Sequence, residues 1–394
     1  MDRAGFNEVQ GVGTRGDPAS TESRHGFGCL IGNGLSVAYN PELSVRSLTE
    51  GILQEISNLS GGDAEQALFR FARGFGPYKP GDFENVLGLL ESVGDSLMHL
   101  RRLTGLARSA KSAAALDETV NFVRGLYRQG FGTALALIAE RAQGQGEAKL
   151  EEVIVRTCEA IARLDKGPSP LIVVGTLNYD GLLLAGFLNS LEAGGQLADL
   201  ADGRERQRMM PSGRWPCLGT RLRNGDDFPR CKVELVNLHG SLGWLEELSS
   251  GEGWKFEFDC LRIDDFWNEF KAGNAVFAPM VVLTNQKERA VLRWPYELAY
   301  RIFERRIRMC DRRLIAGYSF GDVPVNAALS AAAKDRQDDS QPPPHLLVLG
   351  HTEKPHALQA QAAEATGIPR NHIEVDGSGI PDSVEGRLWR SWAA

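Results

Sequence analysis

The segment FGCLIGNGLS, residues 27–36, runs from a short apolar stretch into a glycine turn. An apolar run of this length that ends in Gly32-Asn33-Gly34 is typical of a buried parallel strand entering a tight turn. The next run of the same kind, Leu171–Val174, is rich in β-branched residues and lies far along the chain. The two runs therefore predict strands of one sheet that are separated by a long insertion.

The insertion covers residues 47–165 and carries a helical pattern. Its apolar residues recur at three- and four-residue spacing, and Gly, Pro and Asp stand at the joints. After residue 166 strand and helix patterns alternate, with candidate strands at 233–238, 275–283, 314–316 and 346–349. Residues 200–231 are polar and irregular and are expected to form a loop or a small lobe.

This order predicts an α/β fold with a doubly wound, Rossmann-like parallel sheet and a large helical insertion between the first two sheet strands. Residues 26–46 and 166–394 would form the core. Residues 1–25, rich in Gly, Ser, Thr and charge, would form a flexible N-terminal arm.

Composition narrows the class of protein. The 394-residue chain is 42% apolar and carries a formal charge of −7, and its Lys and Arg are scattered. No basic face is expected, so we predict no direct nucleic-acid partner. The six cysteines contain no CxxC pair, and no apolar run is long enough for a signal peptide or a membrane span. A cytoplasmic protein with reduced thiols, no metal and no membrane contact is the simplest interpretation.

Four motifs follow predicted strands. In a doubly wound sheet, ligands bind beyond the carboxyl ends of the strands, so these motifs are expected to meet at one edge. They are GNGLS at 32–36, TLNYD at 176–180, NLHGS at 237–241 and GYSFGD at 317–322.

Each motif alone has an ordinary alternative. The glycine turn would let backbone amides approach a pyrophosphate, but Val37 replaces the third glycine of the dinucleotide fingerprint, and a plain strand-to-helix turn fits equally well. Asn178 and Asp180 could cap a helix. His239 is of the residue type suited to a general base, and Gly240 would leave it free to reach a cleft, although most single histidines are structural.

The segment GYSFG, residues 317–321, permits two hypotheses. It matches the G-x-S-x-G nucleophile elbow of α/β-hydrolases, with Ser319 as nucleophile, or it is a turn that binds a nucleotide. A hydrolase would need an acid such as Asp335 or Asp339 and a base such as His351 or His372 in the short remaining chain. The oxyanion motif of that class is absent, so a serine hydrolase is the second hypothesis.

Taken in order, the four motifs resemble those of the sirtuin superfamily, and more closely the sirtuin-like NAD-consuming domains of bacterial antiphage and abortive-infection systems. The resemblance implies that Asn178 lies beside the nicotinamide ribose, that Asp180 faces the carboxamide and that His239 is the catalytic histidine. The residues that it implies in NAD binding are Gly32, Asn33, Gly34, Ser36, Thr176, Asp180, Gly317 and Ser319.

Two departures from the family bear on the reaction. The four-cysteine zinc module of protein deacylases is absent, and Val-Ala-Tyr-Asn-Pro at 37–41 replaces the usual segment after the glycine turn, although Arg46 could stand in for its arginine. Both point to water as the acceptor.

The expected activity is therefore that of an NAD glycohydrolase that forms nicotinamide and ADP-ribose. The relatives imply a homo-oligomer, and a partner ATPase or an Argonaute-like partner that holds the activity in check. A non-catalytic NAD or ADP-ribose sensor and, last, a protein deacylase are further alternatives.

Predictions can also be made for charged and aromatic residues outside the four motifs. Glu84 resembles an acidic helix position in some of these relatives, but it is expected to be solvated or to cap a helix. Lys287 is expected to lie in a charged loop with at most a phosphate contact. Trp389 and Trp392 are expected on a docking helix or at an oligomer contact.

Overall fold

The computed structural model describes residues 26–60, 83–106, 110–164, 172–191, 196–201, 206–211, 216–225, 231–257, 264–283 and 287–394. The predicted N-terminal arm, residues 1–25, lies outside these ranges, as does Leu171 at the start of the second predicted strand.

The described strands are, in chain order, β1 Phe27–Ile31, β2 Ile172–Thr176, β3 Leu197–Ala198, β4 Arg206–Met209, β5 Cys217–Arg221, β6 Val233–Asn237, β7 Gly240–Glu247, β8 Gly253–Phe256, β9 Phe277–Val281, β10 Arg312–Ala316, β11 His345–Leu349 and β12 Ile373–Asp376. The α-helices are α1 Gly34–Tyr39, α2 Val45–Ser60, α3 Phe83–Leu106, α4 Ala110–Gln143, α5 Gly146–Lys149, α6 Arg156–Ala162, α7 Leu182–Ser190, α8 Asp264–Ala272, α9 Lys287–Ala290, α10 Tyr296–Arg308, α11 Val323–Asp338, α12 Pro355–Thr366 and α13 Arg387–Ala393. A π-helical segment, Leu150–Val155, joins α5 to α6, and 3₁₀ turns cover Pro41–Leu43 and Arg370–His372.

Seven strands form one parallel sheet in the order β12-β11-β10-β1-β2-β6-β3. The chain enters at the middle with β1, adds β2 and β6 on one side, and later adds β10 to β12 on the other. In register, Leu30 of β1 pairs with Gly175 of β2 and with Ile315 of β10. The predicted doubly wound fold is confirmed. Its strand order reverses between β1 and β10, which is where such folds form their ligand crevice.

The central strands are apolar throughout because helices cover both faces of the sheet. Cys29 and Ile31 pack into one apolar layer with the insertion helices, whereas Leu30 packs into the other with Phe303 of α10. Every residue of β1 and β2 is buried. Burial of each large aliphatic side chain contributes about 1.5–3 kcal/mol, so the sheet is the main source of stability.

Helices fill the described part of the chain between β1 and β2, as predicted for residues 47–165. The insertion also contacts the rest of the protein, since Phe131 of α4 lies 6.1 Å, ring centre to ring centre, from Phe270 of α8. Its helices are amphipathic or short. Within the described ranges, no helix combines the length and the apolar character needed to cross a bilayer.

A second, antiparallel sheet was not predicted. Its order is β4-β5-β8-β7-β9, and two of its strands fall within 200–231, the stretch expected to be a loop or small lobe. The expectation that 275–283 continues the parallel sheet is wrong, because β9 pairs antiparallel with β7. The pattern of apolar and polar residues along a short strand indicates which residues are buried, but it does not identify the strand with which it pairs. The chain passes into this second sheet directly after β6, through Leu238 and His239.

The C-terminal tryptophans belong to the core of this chain. Trp392 of α13 contacts Phe27 at 5.6 Å between ring centres in an edge-on arrangement, and Trp389 packs beside it at 5.8 Å. Both are only 4% exposed. The predicted docking helix therefore docks on its own sheet, near the start of β1.

Gly175 tests the packing between the sheet and α10. A Cβ at this position would lie 2.4 Å from the ring of Phe303, so we expect Gly175→Ala to destabilise the protein by about 1–3 kcal/mol through overpacking. Gly125 of α4 has nothing within 4 Å of the same atom, and Gly125→Ala should be neutral or stabilising by about 0.5–1 kcal/mol. Thermal unfolding of both variants measures the difference. Equal melting temperatures would contradict this account of the core.

Candidate functional site

The glycine turns after β1 and β10 touch backbone to backbone. The amide of Gly32 donates to the carbonyl of Ala316 at 2.9 Å, and that of Gly34 donates to the carbonyl of Gly317 at 2.8 Å. A Cβ at Gly32 would lie 2.6 Å from the Gly317 oxygen, and one at Gly34 would lie 2.5 Å from the Gly317 Cα. Gly317 itself has φ +64°. The glycines are thus required by the contact between the turns.

The contact decides which part of the first turn is open to a ligand. The Gly32 and Gly34 amides are already bonded within the protein. Asn33 is exposed, and its backbone amide makes no hydrogen bond to the described chain. This backbone amide is therefore the group at the turn that an anion can reach. Its side chain donates to the carbonyl of Leu43 at 3.2 Å, which ties the turn to the segment after α1.

A cavity of about 560 Å³, called here the first cavity, opens over these turns. Its volume lies within the roughly 300–1,000 Å³ typical of ligand sites. Its polar lining residues come from all four motifs and from two further segments: Asn33, Glu84, Asn178, Tyr179, Asp180, His239, Lys287, Tyr318, Ser319 and Asp322.

The structure places the predicted site residues at two depths. Asn33, Gly34, Asn178, Asp180, His239, Gly317 and Ser319 line the first cavity, whereas Gly32, Ser36 and Thr176 lie beneath it. Arg46 is apart from the site, where it pairs with Glu50 at 3.0 Å and has a side chain that is 85% exposed. The role of each residue in NAD binding stays a prediction.

Asn178 is held in one orientation from below. Its Nδ2 donates to the carbonyl of Gly32 at 3.1 Å and to the hydroxyl of Ser36 at 2.9 Å, and its backbone amide donates to the Thr176 hydroxyl at 3.1 Å. Oδ1 of Asn178 is buried and has no hydrogen-bond partner in the described chain. A buried acceptor without a partner is costly, and a donor from a ligand or a water would satisfy it.

Asp180 completes this network and begins a helix. Its Oδ2 accepts from the Ser36 hydroxyl, and its Oδ1 accepts at 3.0 Å from the amide of Leu182, the first residue of α7. Burial raises the pKa of Asp180, although the hydrogen bonds from Ser36 and Leu182 work in the opposite direction. Asp180 thus lines the first cavity, as expected, and lies one residue before Gly181, the N-cap of α7.

His239 lies buried at the junction between the two sheets. Its Nε2 lies 3.3 Å from the Tyr300 hydroxyl and 3.3 Å from Oδ2 of Asp322, and the residue is only 3% exposed. His239 lines the first cavity, as expected. Gly240 has φ +80°, and a Cβ there would lie 2.0 Å from the Met280 carbonyl, so this glycine serves to bend the chain.

The imidazole of His239 is neutral at physiological pH. Burial lowers the pKa of His239 to about 4; Asp322 opposes this shift and Lys287 adds to it. Burial also raises the pKa of Tyr300, so its phenol keeps its proton. A neutral imidazole has one ring nitrogen that can accept a proton, and Asp322 offsets part of the cost that burial imposes on the imidazolium.

An ion-pair network links His239 to the insertion. Lys287 Nζ lies 3.1 Å from Glu84 of α3 and 3.2 Å from Asp322. Burial lowers the pKa of Lys287, but the two carboxylates outweigh it and hold the pKa above its ordinary value. The two carboxylate oxygens of Asp322 have different contacts. Oδ1 caps α11 by accepting from the Val325 amide at 3.2 Å, and Oδ2 faces the site.

The network contains the residues that sequence reasoning missed. Glu84 was expected to be solvated or a cap and Lys287 to lie in a loop, yet each side chain is only 22% exposed and lines the first cavity. Asp322 ends the GYSFGD motif and could have been included on that signal. For Glu84 the sequence offered only its resemblance to an acidic helix position of the relatives, and for Tyr300 it offered no signal, because only the fold brings α3 and α10 to this edge.

Ser319 has no catalytic partner in the described chain. Its side chain makes no hydrogen bond there, while Asp335 and Asp339 pair with Arg308 at 3.2 and 2.6 Å. Asp335 also lies twelve residues along α11 from its start, about 18 Å from the GYSFG turn. This geometry weighs against the hydrolase hypothesis.

Comparison with family models and with curated proteins finds no match for this chain. Across the described ranges, no three His, Cys, Asp or Glu side chains converge as a metal site requires.

Substituting the two charged neighbours of His239 should shift its pKa in opposite directions. Lys287→Met removes a positive charge that disfavours the imidazolium, so the His239 pKa should rise; Asp322→Asn removes a favourable charge, so it should fall. Ring resonances followed by NMR against pH measure both shifts. Lys354→Met, at an exposed lysine, is the control and should leave the His239 pKa unchanged. Shifts of the same sign in the first two variants would refute this account of the site.

Proposed function

We propose that the first cavity binds NAD and hydrolyses its nicotinamide N-glycosidic bond. The observation that carries the proposal is the pairing of Asn178 and His239 on one cavity over the contacting glycine turns. The resemblance of the four motifs to sirtuin-like NAD-consuming domains assigns those same two residues to catalysis. The geometry and the resemblance thus support the same pair.

The charge of the cavity suits the reacting end of NAD. Three carboxylates, from Glu84, Asp180 and Asp322, line it, and Lys287 is the one cationic side chain among its described lining residues. The nicotinamide ring of NAD is positively charged, and positive charge moves to the ribose as the bond breaks. Carboxylates near that ribose would stabilise the oxocarbenium-like transition state.

The phosphates belong at the other end, over the glycine turns. The reachable backbone amide of Asn33 lies there, at the start of α1, whose first turn carries no acidic side chain, and so does the loop Gly317–Gly321. Nicotinamide would then lie toward Asp180 and His239. This polarity agrees with the roles that the resemblance implies for Gly317 and Ser319 on the adenosine side.

The proposed reaction consumes one water. Water attacks the anomeric carbon as the bond to the nicotinamide nitrogen breaks; that nitrogen keeps the bonding electrons, and the products are nicotinamide, ADP-ribose and one proton. Asn178 Oδ1, the acceptor without a partner, would take a hydrogen bond from a ribose hydroxyl or from the water. His239, neutral and beside Asp322, would take the proton.

Control of the activity is part of the proposal. Free hydrolysis would exhaust the NAD of the host cell, so a cytoplasmic antiphage effector needs a trigger. The relatives imply homo-oligomer assembly, or a partner ATPase or Argonaute-like protein. The resemblance supports this part, and assays in lysate from phage-infected cells address it.

Substitution of the two catalytic candidates tests the reaction. Asn178→Ala and His239→Ala should each lower kcat/KM for nicotinamide release by about 10²-fold or more, the range expected for loss of an orienting or acid–base group. The controls are Asn189→Ala and His356→Ala, which change the same residue types on exposed helix positions. Chromatography of nicotinamide and ADP-ribose, with purified protein and with infected-cell lysate, gives the rates. An unchanged rate of nicotinamide release in His239→Ala would reject the catalytic role of His239. NAD binding without turnover under every trigger would favour the hypothesis of a non-catalytic sensor.

Ser319 separates the two enzyme hypotheses. We expect the wild-type protein to react with a fluorophosphonate probe no more than Ser319→Ala does, since the Ser319 hydroxyl makes no hydrogen bond to a base in the described chain. Gel fluorescence after labelling measures this. Strong labelling that disappears in Ser319→Ala would favour the serine hydrolase over NAD cleavage.

A further inference from the structure

A second cavity, of about 570 Å³, lies between the helical insertion and the antiparallel sheet. Its walls are formed by α3, α4, α8, the end of β9 and the segment 290–296. It shares no lining residue with the first cavity. The proposed NAD site therefore makes no use of it.

One wall of the second cavity is aromatic. Tyr127 and Phe131 stack at 5.4 Å with their planes 26° apart, and Phe270 continues the wall from α8. Tyr296 lines the cavity as well, and burial raises the pKa of both tyrosines, so their phenols stay neutral. Flat neutral rings of this kind form the surface on which nucleobases stack.

Three arginines line the same cavity without a counter-charge in contact. Arg124, Arg128 and Arg293 form no ion pair with any described residue, whereas Arg306 pairs twice with Glu234 at 2.8 and 2.9 Å. Nε of Arg128 is buried and has no hydrogen-bond partner in the described chain. Arg128 is half-buried, whereas Arg124 and Arg293 are exposed, and phosphate oxygens match the geometry of a guanidinium group.

Carboxylates complete the set of contacts that a nucleotide needs. Glu91 and Asp95 of α3 also line the cavity, and neither forms an ion pair with the three arginines. A carboxylate accepts hydrogen bonds from the vicinal hydroxyls of a ribose, as the acidic residue of dinucleotide sites does. The second cavity thus offers surfaces for a base, a sugar and a phosphate.

The two cavities are connected through shared segments. Helix α3 carries Glu84 at the first cavity and Glu91 at the second. The chain from Lys287 to Arg293 likewise reaches from one to the other, and Val282, at the second cavity, donates its amide to the His239 carbonyl at 2.9 Å. A ligand in the second cavity would contact the segments that hold Lys287 and His239.

We propose that the second cavity is a binding site for a nucleoside phosphate, with the base against Tyr127 and the phosphate on Arg128 and Arg293. An effect of such a ligand on the first cavity rests on the proposed NAD cleavage, whereas the binding itself does not.

Photolabelling of the full chain with 8-azidoadenosine 5′-diphosphate tests the site. Mass spectrometry should find label on peptides that contain Tyr127 or Tyr296, and Arg128→Met should reduce that label about tenfold or more through loss of a charge-assisted contact. Arg301→Met removes an exposed, ion-paired arginine of α10 and should leave the label unchanged. Arg293→Met, at the exposed mouth of the cavity, replaces Arg128→Met if the latter does not fold.

Two outcomes would overturn the proposal. One is label confined to peptides of the first cavity, around residues 176–180 and 317–322. The other is label near Tyr127 and Tyr296 that persists in folded Arg128→Met and Arg293→Met. The two proposals fail separately: nicotinamide release without label at the second cavity rejects the second site alone, and label there without nicotinamide release under any trigger rejects NAD cleavage alone.

Discussion

The contact between the glycine turns at 32–34 and at 317 is the constraint on which the rest of the site depends. Amides of the first turn bond to carbonyls at the end of β10 and in the second turn, and no side chain fits between the two backbones. The contact leaves the Gly32 carbonyl facing Asn178, whose amide it helps to orient. Residues beneath the first cavity therefore act by fixing geometry, and the residues that face it are the ones available to a ligand.

A second constraint comes from the junction of the two sheets. The chain leaves the parallel sheet after β6 and enters the antiparallel one at Gly240, which places His239 between them and away from solvent. Burial then keeps the imidazole neutral, while Asp322 supplies the charge that an imidazolium would need. Lys287 and Glu84 extend this electrostatic system into the insertion, so the helices between β1 and β2 take part in the site. The same helices form a wall of the second cavity.

Much of the fold could be predicted from the sequence because buried parallel strands are apolar throughout and end in recognisable turns. β1, β2, β6, β10 and β11 all lie where short apolar runs predict them. The antiparallel sheet could not be found in the same way. β4 carries two arginines and little apolar character, and β9 has a strand pattern that is compatible with either sheet. Strand pairing depends on contacts between segments that are far apart in sequence, and the local sequence pattern does not reveal these contacts.

The sequence by itself determined the doubly wound class, the position of the helical insertion and the four strand-end motifs, because these depend on local patterns and on the rule that parallel strands present their carboxyl ends together. It also indicated Asn178, Asp180 and His239 as side chains at that edge. Only the tertiary structure decided that His239 is held in place, that Glu84, Lys287 and Asp322 join it, and that arginines of α4 meet aromatic rings in a second cavity. Burial and Coulomb interactions depend on distances through space, and these distances exist only once the chain has folded.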